Sequence, residues 1–205
     1  MRLAGALKQL SQEHRLIEQV LGTIDGACQA LRDGAPLDSR FFFDAVDFVR
    51  TFADGWHHAR EEGQLVAVLD ECGVSHEQVP VGEALDDHRR GRAYVGLLAA
   101  AVARLGEGSR LAAADVIGAA SLYTALLRRH IAMEDRMLYP LATAALEPVA
   151  RDELAARFAV EERRLGADTP LRYRELAESL QRRLEVAVEK SPGPIARPGA
   201  RGLSG

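Results

Sequence analysis

Apolar residues recur at steps of three and four over long stretches of this 205-residue chain, and this spacing constrains its fold more than any other feature. The first stretch runs from Leu7 to Leu31 and includes His14 at one of the apolar positions. Three later stretches continue the pattern, over 42–68, 85–102 and about 112–145. Because a 3.6-residue repeat brings such positions to one face of an α-helix, we expect four long amphipathic helices.

Polar residues with metal-ligand chemistry interrupt these apolar faces. Two pairs with a four-residue step, His57–Glu61 and His130–Glu134, each place an imidazole and a carboxylate on one helix face. His14 and His88 lie in register on the other two stretches. Because a buried, unpaired carboxylate is costly, the pattern predicts a buried metal site. Glutamates from opposite helices can each span two ions, so we expect a dinuclear centre.

The predicted fold class is all-α, an up-down-up-down four-helix bundle with additional C-terminal helices. Short connections make neighbouring helices antiparallel and assign residues 1–145 to the bundle. Asp38 or Ser39 can cap the second helix, which ends near Gly73. Residues 146–190 form a helical extension, with helices at about Val149 to Arg164 and Leu171 to Lys190, which are either bundle appendages or a homodimer contact. We expect residues 191–205 to be a disordered tail.

Composition excludes several classes of partner. A formal net charge of -4 lacks the basic excess of a nucleic-acid-binding protein. Charged residues break every apolar stretch well short of about 18 residues, so no membrane partner is expected. The first residues lead directly into a helical pattern rather than a secretory signal, which predicts a cytoplasmic protein.

The ligand set contains nitrogen and oxygen only. The chain has two cysteines, Cys28 and Cys72, without C-x-x-C spacing, and we interpret both as small core residues. Nitrogen and oxygen ligands suit iron or manganese, and they tolerate zinc and copper. The sequence leaves the choice between iron and manganese open.

Four segments together resemble the hemerythrin-like (HHE cation-binding) domains. They contain Glu13-His14, His57-His58-Ala59-Arg60-Glu61, Asp87-His88 and His130-Ile131-Ala132-Met133-Glu134, and they span about residues 5–145. The resemblance implies two non-haem iron ions with an oxo or hydroxo bridge. It also implies a dioxygen, peroxide or nitric oxide ligand at an open iron position. By the same resemblance the terminal ligands are His14, His57, His88 and His130, and the bridging residues are Glu61 and Glu134.

The spacing differs from that of other di-iron bundles and departs in one place from the oxygen carriers. Ferritin-like proteins use Glu-x-x-His pairs, whereas these pairs read His-x-x-x-Glu. Oxygen-carrying hemerythrins have a further histidine one turn after the third-helix histidine, where this chain has Arg92, which stays protonated. His58 is the candidate replacement, although it points about 100° round an α-helix from His57. Its alternative role is an ion pair with Asp54.

Three other residues near the site have open roles. Tyr123, seven residues before His130, either hydrogen-bonds to a bound oxygen species or fills the core. Glu62 and Asp135 each follow a ligand glutamate, and we expect both to face water, with a lesser alternative in which Asp135 ligates.

Three functions are compatible with this pattern. The first is a di-iron protein that binds dioxygen, nitric oxide or iron itself for sensing, storage or stress protection. The second is a redox enzyme that acts on peroxide, dioxygen or nitric oxide at the same centre. The third is a structural bundle with a vestigial site, which predicts no stoichiometric iron.

Overall fold

The computed structural model describes residues 5–35, 37–106 and 112–190, and in these residues every regular element is a helix. Helix α1 is Gly5–Arg32, and α3 is Val81–Gly106. Helix α2 is a continuous rod over 39–71, made of Ser39–Asp47, Phe48–His58, Glu61–Leu65 and Val66–Glu71. Helix α4 covers 112–145 as Ala112–Met133, Glu134–Leu138 and Tyr139–Ala145. The C-terminal helices are α5, Pro148–Leu165, and α6, Thr169–Glu189.

Helix ends follow the local sequence signals. Asp38 caps α2, since its side chain accepts a hydrogen bond from the Phe41 N–H at 3.0 Å. At the other end Gly73 has a φ of +84°, and Val74 donates its N–H to the Leu69 carbonyl at 2.9 Å. That bond closes a glycine-terminated helix end, because glycine adopts the left-handed conformation without steric cost. The predicted all-helical class and these two ends of α2 are confirmed.

Two apolar clusters hold the helices together. The larger one joins α1, α2, α3, α4 and α6, with Ile17, Phe52, Leu98 and Tyr173 among its buried members. The smaller one joins α1, α2, α3, α4 and α5 through residues such as Leu10, Leu69, Tyr139 and Phe158. Both C-terminal helices therefore contribute to the core. No helix in the described ranges has a window long and apolar enough to cross a membrane.

The interpretation of Cys72 as a core residue is wrong. Cys28 is buried in the larger cluster, but Cys72 is exposed. It follows Glu71, the last residue of α2, and precedes Gly73, whose positive φ turns the chain, so it lies at the exposed end of the helix. The predicted tail, 191–205, lies outside the described residues.

Candidate metal centre

A layer of buried polar side chains separates the two apolar clusters. Every member is at most 4% exposed, although each carries a group that normally requires water or a partner. They come from all four of the long helices and are His14, His57, His58, Glu61, His88, His130 and Glu134. The structure therefore brings together every residue that the sequence predicts as a metal ligand.

Two groups of possible ligands share one glutamate. One group is His14, His57, Glu61 and Glu134, and the other is His58, Glu61, His88 and His130. In each group, one ligand atom from every side chain lies within 4.8 Å of the others. Each group is compatible with metal binding, and Glu61 belongs to both.

Distances between the inward-facing atoms support the same conclusion. Glu61 Oε2 lies 3.6 Å from Nε2 of His57 and 3.6 Å from Nε2 of His88. Glu134 Oε2 lies 3.1 Å from Nε2 of His14 and 3.3 Å from Nε2 of His130. Two ligands of one ion are at most about 4.2 Å apart when the bonds are about 2.1 Å long. These separations fall within that limit.

Several central atoms lack a hydrogen bond, which is the direct test of whether a metal fits. Among the described residues His57 Nε2, Glu61 Oε2 and Glu134 Oε1 are buried without such a partner. His88 Nε2 and His130 Nε2 also face each other at 3.1 Å. Buried polar atoms are rarely left unpaired, and a cation placed among them would satisfy them at once. The residues present therefore fit a metal.

Carboxylates from a neighbouring helix hold the outer nitrogen of three of the imidazoles. Nδ1 of His57 contacts Glu13 of α1 at 2.9 Å, and Nδ1 of His88 contacts Glu62 of α2 at 2.8 Å. The same relation links Nδ1 of His14 to Asp135 of α4 at 3.0 Å. Such contacts orient a ligand histidine and increase its basicity.

His130 and His58 have looser versions of this arrangement. The nearest carboxylate to His130 Nδ1 is Asp87 of α3, with Oδ2 at 4.0 Å. His58 Nδ1 lies 3.5 Å from Oδ1 of Asp54, one turn earlier on its own helix. His58 also stacks on His88 with 3.9 Å between ring centroids. Burial and the neighbouring His88 hold the pKa of His58 well below 6.5, so its contact with Asp54 joins a neutral imidazole to a carboxylate. His58 thus combines this contact with membership of the second ligand group.

Glu62 and Asp135 differ from the expectation that they face water. Their side chains are 31% and 24% exposed, and each uses a carboxylate oxygen to hold an imidazole. Glu13 and Asp87 were missed by the sequence reasoning. The signal was present, since an acidic residue adjoins the predicted ligand in four segments, at Glu13-His14, Glu61-Glu62, Asp87-His88 and Glu134-Asp135.

Tyr139 is a further residue of the centre that sequence reasoning missed. It is buried, and its hydroxyl donates to Glu61 Oε1 at 2.6 Å while lying 3.2 Å from His14 Nε2. Its only sequence signal is its position five residues after Glu134, next to Pro140.

Wide helical turns occur beside several of the possible ligands. The N–H groups of Ala59, Val66 and Tyr139 donate to carbonyls five residues earlier, those of Asp54, Glu61 and Glu134. Such π-helical turns are rare and concentrate at functional sites. Pro140 favours the turn at Glu134–Leu138, because proline has no N–H to donate in an α-helical hydrogen-bond pattern. A wider turn also reduces the angle between successive side chains, so His57 and His58 can face the same layer.

Ionisation in the layer is governed by burial and by the other members. Burial and the neighbouring Glu134 raise the pKa of Glu61. Burial lowers the pKa of His130 to about 3, so this imidazole is neutral at pH 7. For His14 burial acts in the lowering direction, but hydrogen bonds to Asp135 and Glu134 outweigh it and raise the pKa to about 10. The metal-free layer therefore combines neutral and charged groups. A bound cation would change their protonation, because metal ligands must be deprotonated.

A cavity of about 270 Å³ adjoins the second ligand group. His58, His88 and Tyr123 form part of its wall, together with Arg92 and Asp54. Arg92 donates to Asp54 Oδ1 at 2.9 Å and to Glu62 Oε1 at 2.6 Å, so it does not point at a metal position. Tyr123 is buried beside the cavity, as one of its two predicted roles requires.

Comparison with known proteins gives one match. The family model of the hemerythrin HHE cation-binding domain matches residues 5–142. Neither the curated proteins nor the solved structures contain a match. The matched segment includes all seven residues of the buried layer, which is itself compatible with metal binding. This chain belongs to the hemerythrin HHE cation-binding domain family.

Proposed function

We propose that this chain is a cytoplasmic non-haem di-iron protein that binds a small ligand, dioxygen, nitric oxide or peroxide, for sensing or stress protection. The observation that carries the proposal is the sharing of Glu61 by two buried groups of four possible ligands. Histidine and carboxylate ligands suit iron. When bound, the two ions would supply a redox-active, Lewis-acidic position for the ligand.

We assign the ligands of the two ions by their grouping. His14 and His57 would hold one ion, while His58, His88 and His130 would hold the other, with Glu61 and Glu134 between them. His58 would thereby supply the nitrogen that Arg92 cannot provide. The contact between Glu134 Oε1 and His88 Nε2, at 3.8 Å, supports the reach of this second glutamate to the second ion.

The small ligand would approach the His58 side of the centre. The cavity of about 270 Å³ lies on that side and is large enough for a diatomic molecule or peroxide. Tyr123 in its wall is positioned to influence a ligand there. Asp54 and Glu62 keep Arg92 at the cavity wall, which leaves the space itself free for the ligand.

The proposed arrangement of residues 1–145 is an up-down-up-down four-helix bundle, with 146–190 as a helical extension. The order of the apolar clusters along each helix supports it. The smaller cluster precedes the polar layer in α1 and α3, whereas it follows the layer in α2 and α4. Successive helices that cross the same three layers in alternating order run in alternating directions.

The iron content of purified chain tests the proposal. We expect two iron ions per wild-type chain after expression in iron-replete cells, one or none in Glu61→Ala, and fewer than two in His58→Ala. His76→Ala is the control, because His76 is exposed in the loop after α2 and its side chain contacts Asp70 near the end of that helix, away from the buried layer. A wild-type chain that folds but takes up no iron refutes the proposal. A His58→Ala chain that retains both ions refutes the assignment of His58 as a ligand.

A second candidate is a redox enzyme at the same centre. It is favoured by the Tyr139 hydroxyl, which donates to Glu61 Oε1 and so places a proton beside the carboxylate that both ligand groups share, as reduction of dioxygen or peroxide requires. Optical spectra separate the two functions. Reversible binding predicts a band that disappears when the gas is removed, whereas turnover predicts consumption of many equivalents of peroxide or dioxygen with an added reductant.

A further inference from the structure

A chain of hydrogen-bonded side chains leads from the candidate metal centre to a helix outside the family-matched segment. His57 Nδ1 contacts Glu13 Oε2 at 2.9 Å, and Arg60 donates through Nη2 to both oxygens of Glu13. Through Nη1, Arg60 donates to Glu162 Oε1 at 3.0 Å. Glu162 belongs to α5, whereas the family match ends at residue 142. Four groups in series thus connect a proposed metal ligand with the C-terminal extension.

Arg60 is the fixed link in this series. Its side chain is 0% exposed, and its Nε donates to the Trp56 carbonyl at 3.0 Å. Its guanidinium lies over the Trp56 ring at 4.6 Å and over the Phe158 ring of α5 at 5.1 Å. A planar guanidinium held in this way can bind two carboxylates at once in a defined geometry. It therefore transmits a change at one carboxylate to the other.

Glu13 is the group through which such a change would reach His57. Besides Arg60 it accepts a hydrogen bond from Trp56 Nε1 at 3.0 Å, so its carboxylate is confined among three donors. Arg60 carries one positive charge and faces two carboxylates, those of Glu13 and Glu162. Because Glu162 neutralises part of that charge, Glu13 remains a stronger acceptor for the His57 N–H. A stronger acceptor makes His57 a more basic metal ligand.

We propose that Glu162 is a positioning residue that sets, through Arg60 and Glu13, the strength of His57 as a metal ligand. The inference rests on the proposed function, since it assumes that His57 holds a metal. It gives the C-terminal extension a role at the metal centre, because Glu162 lies outside the family-matched segment. Gln9 of α1 also donates to Glu162 and keeps its carboxylate directed at Arg60.

The alternative is that Glu162 only docks α5. A second ion pair on the same helix provides a matched control for docking. Arg157 of α5 donates to both oxygens of Glu71 on α2, at 3.0 and 2.9 Å, without contact to the metal layer. Arg157→Gln therefore weakens the attachment of α5 to α2, as Glu162→Gln does, but leaves the series from Arg60 to His57 intact.

The first measurement uses the full chain without metal. In Glu162→Gln the whole charge of Arg60 acts on Glu13, so the hydrogen bond that His57 Nδ1–H donates to Glu13 weakens. We expect the Nδ1–H proton resonance of His57 to move upfield in nuclear magnetic resonance spectra of this variant. In Arg157→Gln it should stay at the wild-type position. Equal positions in Glu162→Gln and wild type would overturn the proposal, whatever the metal content of the protein.

The second measurement uses the iron-loaded full chain. A less basic His57 stabilises the oxidised centre less, so Glu162→Gln should raise the reduction potential and speed the transfer of iron to a chelator several-fold. Glu13→Gln, which removes the direct contact, should weaken iron binding by about 10–100-fold. Arg157→Gln should match wild type in both readouts, and Glu162→Asp, which keeps the charge, should restore most of the wild-type values. Equal changes in Glu162→Gln and Arg157→Gln would assign Glu162 to docking alone.

The two proposals fail in distinguishable ways. A wild-type chain without iron refutes the di-iron function, while the resonance of His57 still decides whether Glu162 acts on that histidine. Normal iron content with unchanged resonance and potential in Glu162→Gln refutes the role of Glu162 and leaves the di-iron function standing.

Discussion

Glu13, Glu62, Asp87 and Asp135 each adjoin a proposed ligand in sequence, but each faces a histidine on a different helix. The relation runs in one sense round the four helices, from α1 to α2, α2 to α3, α3 to α4 and α4 to α1. Each helix thus contributes its own proposed ligands and an acidic residue that faces a histidine of its neighbour. Three of these pairs are hydrogen-bonded, whereas Asp87 and His130 Nδ1 are 4.0 Å apart. A histidine oriented in this way presents Nε2 to the centre before any metal arrives.

Tyr139→Phe tests the contact of its hydroxyl with Glu61. The substitution removes the donor at 2.6 Å and leaves Glu61 Oε1 buried with one fewer hydrogen bond. We expect the free energy of unfolding of the metal-free protein to fall by about 1–3 kcal/mol. Urea denaturation measures it. Tyr123→Phe is the control, since that ring lines the cavity rather than contacting Glu61, and an equal loss in both variants would contradict the assignment.

His14 predicts a pH dependence of stability in the metal-free protein. Burial alone would lower its pKa, but Asp135 and Glu134 raise it to about 10 from 6.5. The protonated imidazole is favoured in the folded state, so its contribution is fully present below pH 6.5 and is lost as the pH rises towards 10.

Urea denaturation of the metal-free chain at pH 6.5, 8 and 9.5 measures this contribution. Stability should decline by at most about 1.4 kcal/mol per pH unit, and His14→Gln should lack that part of the decline. Parallel curves for wild type and variant would contradict the assignment of the proton to His14.

At the scale of helices, α6 packs closely against α1 at one of two neighbouring glycines of α1. A Cβ at Gly26 would lie 2.8 Å from Leu184 Cδ2 of α6, whereas at Gly22, one turn earlier, it would meet nothing within 4 Å. The missing Cβ at Gly26 therefore gives α6 close access to α1. Helix periodicity does not predict this difference, because Gly22 and Gly26 are one turn apart on the same side of α1.

The matched pair Gly22→Ala and Gly26→Ala tests this packing. Alanine at an open helical position should raise the free energy of unfolding by about 1 kcal/mol. At Gly26 the gain should be cancelled or reversed, because overpacking against Leu184 costs about 1–3 kcal/mol. Urea denaturation of both variants decides the matter. A Gly26→Ala chain as stable as Gly22→Ala would show that Leu184 moves aside at no cost.

At the scale of the whole molecule, the C-terminal helices share the core of the family-matched segment. Leu154 and Phe158 of α5 belong to the smaller apolar cluster, and Tyr173, Leu180 and Leu184 of α6 belong to the larger one. Each apolar side chain of this size stabilises the fold by about 1.5–3 kcal/mol when it is buried. A boundary at residue 145, drawn from the sequence, therefore crosses a continuous core.

A chain that ends at residue 145 should consequently be unfolded or close to it. The stabilisation lost with these five side chains is comparable with the whole free energy of unfolding of a domain, about 5–15 kcal/mol. Thermal unfolding followed by circular dichroism measures the effect. A chain that ends at residue 190 is the control and should melt with the full-length protein. A cooperative transition in the shorter chain near the full-length temperature would contradict the prediction.

The helices and the segments that carry the buried histidines and glutamates could be predicted from the sequence, because apolar periodicity and His-x-x-x-Glu spacing are local properties. Asp38 as a cap and Gly73 as a helix end are local in the same way. The contacts of Glu13, Tyr139 and Arg60 could not be predicted, since each joins residues that are far apart in the chain. The same holds for the exposure of Cys72, which depends on whether another helix covers the end of α2.

The sequence by itself determined that this chain is all-helical, that histidines and glutamates lie on its apolar faces, and that it belongs with the HHE domains. Only the tertiary structure decided that His58 joins the second ligand group, that an acidic residue of each helix faces a histidine of the next, and that Glu162 reaches Arg60. The reason is physical. Helical periodicity fixes the direction of a side chain relative to its own helix axis, whereas packing between helices sets the distance to every partner on another helix.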